Sequence, residues 1–397
     1  MSVDSRREVY ADHAATTPPA PEALEAMASY LREEFGNASS VHRRGEAARA
    51  ALDLARERVA DAIGATPEEI VFVASGSEAN NLALKGLMLG ALPERRRLIV
   101  SSVEHPSVLE TARHLETRGV PLTIVPVDAN GLLDLERLRA EMRPDVALVS
   151  IQMVNNETGV IQPVAEIAEL AHAAGARCHT DAVQAVGKLA VDVSSLSVDL
   201  LSLAGHKFGG PLGAAALYVR RRVRLVPLVH GGHQERSRRA GTENLPAVVG
   251  LGVAAERAAQ RLAEHRAQGA RLGAVLRAGL AQAVPDARLN GDAERRVGSI
   301  VNVRFPGVDG EAVLHELDLA GITVSTGSAC SAASLGPSSV LLAMGLTPEE
   351  AHASVRFSFG EGNDETQVSR ILQVLPPILA RLRALASEPE RSIPRSA

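Results

Sequence analysis

The chain of 397 residues contains few aromatic side chains, few cysteines and few lysines. Tryptophan is absent, and three tyrosines with six phenylalanines make up only 2% of the residues. Basic residues number 42, but only Lys85, Lys188 and Lys207 are lysines, and the rest are arginines. Because arginine cannot supply a deprotonatable amine, each lysine retained in such a background is a candidate for chemistry.

These shortages exclude several classes of protein. Cys178 and Cys330 lie far apart and form no C-x-x-C pair, so we expect neither a disulfide scaffold nor a structural zinc site, and we expect a reducing cytoplasm as the location. Acidic residues outnumber basic ones by 47 to 42, and the net charge of −5 disfavours nucleic-acid binding. No apolar run reaches the roughly 18 charge-free residues of a membrane span, and we expect no secretory signal.

The order of apolar patterns predicts an α/β fold. Short apolar runs typical of buried strands occur at 70–73, 97–101, 122–125 and 146–150. Helical spacing of apolar residues separates them at 78–89, 107–118, 135–142 and 164–173. Two further strands are expected next to Asp181 and Lys207. Buried strands that alternate with amphipathic helices indicate a mostly parallel sheet flanked by helices.

The last third of the chain predicts a smaller α+β domain. A long helical pattern rich in alanine and arginine covers 244–282. After it we expect strands at 300–305 and 354–359, a helix at 311–320 and a loop of small residues at 325–339. The predicted division is a large domain over 16–260 and a small domain formed by 1–15 and 261–397.

Lys207 lies in a glycine-flanked turn after an apolar run, LAGHKFGGP at 203–211. A lysine in such a turn is positioned to form a Schiff base when burial lowers its pKa. The alternative is an ordinary surface lysine, which the scarcity of lysine in this chain disfavours. We therefore treat Lys207 as the first candidate catalytic residue.

Two further elements point to the chemistry that would accompany such a lysine. Asp181 ends an apolar segment, and ligands of parallel sheets bind beside those strand ends. An aspartate there could hold the protonated pyridinium nitrogen of pyridoxal 5'-phosphate (PLP), while its alternative role is a helix N-cap. Residues 74–78, ASGSE, follow a strand and open a helix, which predicts either a phosphate cup or an ordinary capped helix start.

A phosphate cup, then Asp181, then Lys207 is the order found in fold-type I PLP enzymes. The chain resembles cysteine desulfurases of the NifS/IscS type, within the class V aminotransferase group. The motifs that carry the resemblance run nearly end to end: YADHAATT at 10–17, FGN at 35–37, VEHP at 103–106, VNNETG at 154–159, GHK at 205–207, RAGTEN at 239–244, GSAC at 327–330 and VRFS at 355–358.

The resemblance implies that PLP is the cofactor and assigns residues to it. Lys207 would hold PLP as a Schiff base and later move protons at the substrate Cα. Asp181 would pair with the pyridinium nitrogen, Gln184 would hydrogen-bond the ring oxygen, and His105 would stack on the ring and serve as an acid or base. The residues expected around the phosphate are Gly76, Ser77, His206 and, reaching the cofactor of the neighbouring subunit, Thr242.

The resemblance also implies the substrate chemistry. Asn156, also placed beside the cofactor, and Arg356 would hold the carboxylate of L-cysteine. Cys330, in its loop of small residues, would take the sulfur as a persulfide and leave L-alanine. A homodimer in the cytoplasm would then pass the sulfur to an acceptor protein, for iron–sulfur clusters or another thio-cofactor or thiolated product.

Two alternatives stay open at this point. The same scaffold could serve a selenocysteine lyase or another class V aminotransferase-type enzyme. A different class of function would be a weakly active paralogue that acts as a sulfur carrier or scaffold. That second alternative rests on Ala204 alone, because relatives commonly carry serine there and the chain would lack one hydroxyl for the phosphate.

Overall fold

A computed structural model describes residues 8–327 and 336–387, and Cys330 lies outside the described residues. The strands are β1 (Val9–Tyr10), β2 (Ile70–Val73), β3 (Arg97–Ser101), β4 (Leu122–Val125), β5 (Val146–Ser150), β6 (Arg177–Asp181), β7 (Leu200–Ala204), β8 (Ala215–Val219), β9 (Arg288–Leu289), β10 (Ile300–Arg304), β11 (Ile322–Thr323) and β12 (Ser354–Ser358). The helices are α1 (Pro21–Arg32), α2 (Arg43–Asp61), α3 (Gly76–Leu89), α4 (Pro106–Thr117), α5 (Leu135–Glu141), α6 (Val164–Ala173), α7 (Val193–Leu196), α8 (Leu245–Gln260), α9 (Leu262–Ala283), α10 (Gly310–Leu319), α11 (Ser339–Ala343), α12 (Pro348–His352) and α13 (Glu365–Ser387).

Seven strands form the central sheet, in the order β2-β8-β7-β6-β5-β3-β4. Strand β8 runs antiparallel to its neighbours β2 and β7, and the other adjacent pairs are parallel. Every residue of β5, β7 and β8 is buried, as expected for strands with both faces covered. The predicted mostly parallel sheet flanked by helices is confirmed.

The parallel strands bring their carboxyl ends to one edge of this sheet. Strand β6 ends at Asp181, and β7 ends three residues before Lys207. Helices α3 and α4 begin shortly after β2 and β3, so their N-termini lie at the same edge. This edge therefore collects the strand-end side chains and the helix N-termini in one place.

A second layer is built from short strands and the last helices. Strands β12, β10 and β9 form an antiparallel sheet in that order, and β1 pairs with β11 in parallel. Their apolar core is separate from the cores that flank the seven-stranded sheet. Buried members of this core include Leu272, Phe305, Val313, Phe357 and Ile371.

The long helix expected over 244–282 is two helices, α8 and α9, divided at Arg261. Arg261 adopts φ −100° and ψ 9°, outside the α-helical region, which ends α8. Its guanidinium then pairs with Glu264 in the first turn of α9 at 2.8 Å. Among the described residues, no helix has the length and apolar character needed to cross a membrane.

A buried ion pair holds a strained turn against the central sheet. Arg56 of α2 makes two hydrogen bonds of 2.7 Å to Glu235, and the same carboxylate accepts the Phe72 amide of β2 at 2.9 Å. Glu235, Arg236 and Ser237 have φ values of 46°, 57° and 62°, a conformation that costs about 1–3 kcal/mol per residue. The ion pair therefore anchors a turn that would otherwise relax.

We expect Glu235→Gln to lower the free energy of unfolding by about 3–5 kcal/mol, because it leaves the buried Arg56 guanidinium without a carboxylate. Urea unfolding curves measure the change. The matched control is Glu110→Gln, which breaks an exposed pair with Arg113 and should cost less than about 1 kcal/mol. Equal losses in the two variants would show that the buried pair does not anchor the turn.

Candidate active site

A cavity of about 700 Å³ opens at the carboxyl edge of the central sheet. The sequence-predicted residues that line it are Gly76, Ser77, His105, Asn156, Asp181, Gln184, His206 and Lys207. Thr242 and Arg356 do not line this cavity, and Cys330 lies outside the described residues. Side chains that are far apart in the sequence thus face one space.

Lys207 ends a short 3-10 turn, Gly205–Lys207, that follows β7. Its Nζ donates hydrogen bonds to the carbonyl oxygens of Ala14, at 2.7 Å, and Ala15, at 2.6 Å. The turn needs glycine, since a Cβ on Gly210 would lie 2.8 Å from the Cα of Gly205. The lysine amine is therefore held in the cavity wall by backbone atoms from near the N-terminus.

Asp181 is buried at the end of β6, with 6% of its surface exposed. Its Oδ2 accepts a hydrogen bond from Asn80 Nδ2 at 2.7 Å, and its Oδ1 accepts the Val183 amide at 2.9 Å. The alternative role as a helix N-cap is wrong, because the next helix is α7 and Asp192 caps it. Asp181 is therefore a buried carboxylate with a fixed orientation beside the cavity.

Asn80 is a site residue that the sequence analysis missed. Its Nδ2 also donates to Ser107 Oγ at 2.9 Å, so that it joins α3 to α4 while it orients Asp181. Its position in the sequence could have identified it, because Asn80 lies one helical turn after the predicted phosphate cup, on the buried face of α3.

His105 is the N-cap of α4. Its Nδ1 accepts the Ser107 amide at 3.1 Å and lies 2.8 Å from Ser107 Oγ. Capping with a ring nitrogen fixes the imidazole at the helix start, as a capping oxygen would. Because Nδ1 is occupied, proton exchange in the cavity falls to Nε2.

The predicted phosphate cup is the N-terminus of α3. Ser75 caps this helix by accepting the Glu78 amide at 3.1 Å, which leaves Gly76 and Ser77 in its first turn. A Cβ on Gly76 would lie 2.8 Å from Val183 Cγ2 and 3.6 Å from Ala204 Cβ, so the backbone approaches the wall closely here. Exposed amides at a helix N-terminus favour an anion.

His206 lies on the Lys207 side of the cup. Its Nδ1 is 3.2 Å from Thr16 Oγ1, and its carbonyl accepts the Thr17 hydroxyl at 2.9 Å. Burial, together with the charges of Lys207 and Lys188, lowers the pKa of His206 to about 4. The imidazole is therefore neutral at pH 7 and offers one N–H.

Arg356 is buried beside the cavity and already has partners. Its Nη2 pairs with Asp12 Oδ1 at 2.7 Å, and its Nη1 donates to the Asn156 carbonyl at 2.9 Å. The sequence analysis gave Asp12 no role, and no metal-binding cluster occurs among the described residues. Asp12 instead orients the arginine.

Two buried carboxyl groups support the cavity wall and were not predicted. Glu104 Oε1 accepts Ser101 Oγ at 2.5 Å and the Gln152 amide at 2.9 Å, and burial raises the pKa of Glu104 to about 8. Glu157 accepts Ser338 Oγ at 2.5 Å, and burial raises its pKa as well. Glu104 is therefore protonated at neutral pH.

Thr242 and Cys178 lie away from the cavity. Thr242 is exposed, and nearby Arg239 Nε donates to Glu78 Oε1 at 2.9 Å, which ties this segment to α3. Cys178 is a core residue of β6, with 1% of its surface exposed. Burial and Asp199 raise the pKa of its thiol, so Cys178 is a poor nucleophile.

The residues present fit PLP. A carboxylate at the sheet edge suits the pyridinium nitrogen, a lysine amine suits the aldehyde carbon, and the α3 N-terminus suits the phosphate. Gln184 donates to the Ala14 carbonyl at 2.7 Å, and its buried Oε1 has no hydrogen-bond partner among the described residues. Buried polar atoms in native proteins are normally paired, so this unpaired acceptor suits a donor group on a bound ligand. The second N–H of Gln184 Nε2 is the group that can donate to the ring oxygen of PLP.

Comparison with known proteins agrees with this reading of the site. The family described as aminotransferase class-V matches residues 9–371. Cysteine desulfurase IscS of Methanosarcina thermophila is 45% identical over 380 residues, which are 96% of this chain and 94% of that protein. A solved NifS-like protein has a TM-score of 0.89 at 35% identity, with 94% of this chain and 100% of that chain covered. A structure of SspA in complex with cysteine has a TM-score of 0.77 at 38% identity, with 89% and 99% covered. The chain therefore belongs to the cysteine desulfurases of the class-V aminotransferase family.

Proposed function

We propose that the chain uses PLP to convert L-cysteine to L-alanine and that Cys330 receives the sulfur as a persulfide. The observation that carries this proposal is the arrangement of Lys207, Asp181 and the α3 N-terminus around one cavity. Bound cysteine in the related SspA structure supports the substrate. When bound, PLP supplies an electron sink for negative charge at the substrate Cα.

The cofactor would be held by groups that the fold has already oriented. Asp181 would accept the pyridinium N–H, with Asn80 keeping the carboxylate in place. Gln184 would reach the ring oxygen, and His105 would cover one face of the ring. The phosphate would be bound by Gly76, Ser77 and His206.

The substrate carboxylate would bind Asn156 and Arg356. A guanidinium offers two parallel donors to a carboxylate, but Asp12 already takes Nη2 of Arg356. The substrate must therefore share or replace the contact with Asp12.

Lys207 and His105 would transfer protons, and Cys330 would accept the sulfur. Lys207 would move the proton at the substrate Cα, and His105 Nε2 would exchange the thiol proton. The Cys330 thiolate would form a bond with the substrate Sγ while the Cβ–Sγ bond breaks and its electron pair stays with Cβ. A proton then added at Cβ completes alanine, and the sulfur remains on Cys330.

The segment around Thr242 concerns the oligomeric state. A cytoplasmic homodimer would place the exposed Thr242 near the neighbouring subunit's cofactor phosphate, and the Arg239–Glu78 contact supports this by holding the segment at α3.

The sulfur would pass to an acceptor protein for iron–sulfur cluster or thio-product biosynthesis. The separate core of the second layer supports a domain division at 16–260, with 1–15 and 261–397 forming the small domain.

The central test is Cys330→Ala against Cys178→Ala, assayed as holoenzyme with L-cysteine and a reductant. We expect Cys330→Ala to lower the formation of alanine and sulfide by at least about 100-fold, since the nucleophile is lost. Cys178→Ala should retain the wild-type rate, because that thiol is buried in β6. Wild-type turnover by Cys330→Ala would overturn the assignment of the nucleophile. Faster turnover of selenocysteine than of cysteine would indicate a selenocysteine lyase.

Ala204→Ser tests the phosphate cup. Ala204 lines the cavity beside Gly76, so a hydroxyl there can donate to the phosphate, and we expect the dissociation constant of PLP to fall about 3- to 10-fold. Titration of the apo-protein with PLP, followed by visible absorbance, measures the constant. Unfolding of the apo-variant should match that of the wild type. Unchanged PLP affinity would place the phosphate elsewhere.

A further inference from the structure

A second cavity of about 620 Å³ lies on the other side of Lys207. Lys207 lines both cavities, so its turn forms part of the wall between them. The second cavity is lined by segments of both layers, including 17–21, 187–189, 296–299 and 359–362. It contains none of the residues assigned above to PLP or cysteine except Lys207.

Arg296 is a buried cation in the wall of this cavity, with 8% of its surface exposed. Its guanidinium donates only to backbone carbonyls, those of Asp292 at 3.4 Å, Thr158 at 3.0 Å and Ile300 at 2.5 Å. Within 8–327 and 336–387, no carboxylate lies within ion-pair distance of it. The nearby Asp292 carboxylate instead accepts the amides of the two residues that precede Arg296. Arg296 is thus stabilised by hydrogen bonds to backbone carbonyls and by the longer-range attraction of the Asp292 carboxylate, without a direct ion pair in the described part of the chain.

Two more cations of the same wall, Lys188 and Arg277, also donate to backbone carbonyls. Lys188 Nζ donates to the Lys207 carbonyl at 3.3 Å. Arg277 donates to the carbonyls of Gly273, at 3.4 Å, and Ala293, at 3.2 Å. Neither forms an ion pair with any carboxylate in the described part of the chain. Arg296, Lys188 and Arg277 therefore line one cavity, and none of them has a carboxylate within ion-pair distance among the described residues.

The acidic residues of the lining do not neutralise them. Glu361 is already paired with Arg257, at 2.5 Å, and with Arg261. Glu294 is exposed and makes no ion pair with any residue that the structure describes. Buried charges in proteins are normally paired, because leaving one unpaired is costly.

We infer that this second cavity binds a small dianion, with Arg296, Lys188 and Arg277 as its ligands. The class of ligand is set by charge and size: an inorganic oxyanion such as sulfate, or an organic dicarboxylate. Both offer several acceptor oxygens to guanidinium and ammonium donors. The site is independent of the cofactor phosphate, which belongs to the α3 N-terminus.

The charge of Lys188 gives the binding a pH dependence. Burial and the nearby Lys207 lower the pKa of Lys188 to about 7, and a bound dianion favours its protonated form. Affinity should therefore fall as the pH rises through about 7. The other groups facing Lys188 are His13 and His206, whose pKa values burial lowers to about 4. Both remain neutral across this range.

Further groups line the cavity without changing this expectation. Arg296 keeps its charge, since burial lowers its pKa only to about 10. The pKa of Arg257 is raised through its contacts with Glu361 and Glu22, and that of Glu361 is lowered to about 2 by Arg257. Burial lowers the pKa of His265, which leaves Lys188 as the group that titrates near neutrality.

Calorimetric titration of the holoenzyme tests the inference, because its cofactor phosphate already fills the cup at α3. The probes are sulfate and succinate, at constant ionic strength set with chloride, at about pH 6.5 and about pH 8.5, on either side of the Lys188 pKa. We expect saturable binding at one site per chain, tighter at the lower pH. The tighter of the two probes identifies an inorganic or an organic ligand.

Three variants separate the site from general charge effects. Lys188→Met should weaken binding at least about tenfold at the lower pH and abolish the pH dependence, while Lys188→Arg should keep the affinity at both pH values. The matched control is Arg271→Gln on α9, which lies outside the cavity and pairs with Glu365, and it should bind like the wild type. Absence of saturable binding by either probe, or equal binding by Lys188→Met and the wild type, would overturn the inference.

Discussion

The hydrogen bonds that hold the amine of Lys207 are the contacts on which the rest of the site depends. Its Nζ donates to the carbonyls of Ala14 and Ala15, so that backbone atoms rather than a flexible side chain fix its position. The same segment carries Asp12, which pairs with Arg356 of β12. One short stretch of chain therefore places both the amine and the expected carboxylate clamp.

That stretch also joins the two layers of the fold. Strand β1 pairs with β11, and the amide of Ala14 donates to the Ser358 hydroxyl of β12 at 2.9 Å. Two residues of the same stretch hydrogen-bond the turn after β7, since Thr17 donates to the His206 carbonyl and Thr16 contacts the His206 ring. The first cavity lies where the carboxyl edge of the seven-stranded sheet meets the N-terminal stretch. Any relative movement of the layers would therefore act on the substrate clamp.

Burial sets the protonation states of titratable groups around the first cavity. The pKa of Glu104 is raised to about 8 and that of His206 is lowered to about 4, so two titratable groups near the cofactor cavity are neutral at pH 7. The amides at the N-terminus of α3 attract an anion such as a phosphate at the same cavity. Arg296, which has no carboxylate within ion-pair distance among the described residues, lies in the wall of the second cavity. Lys207 belongs to the walls of both cavities.

Much of the fold and part of the candidate site were predictable from patterns in the sequence. The parallel sheet follows from buried runs that alternate with helical spacing, and the positions of Asp181 and Lys207 follow from strand ends. The break at Arg261 was not predictable, because alanine and arginine favour helix on both sides of it. Asn80 and Asp12 were missed for another reason: each acts through a partner on a different element, and no local pattern names that partner.

The order of patterns and the motifs along the chain were therefore sufficient for the fold class and the family, and they predict which residues react. Tertiary structure alone decided which groups are paired. Arg356 pairs with Asp12, whereas the hydrogen bonds of Arg296 within the described residues go to backbone carbonyls only. The physical reason is that the period of apolar residues specifies which faces are buried, whereas a buried charge depends on atoms brought within a few ångströms by segments distant in sequence.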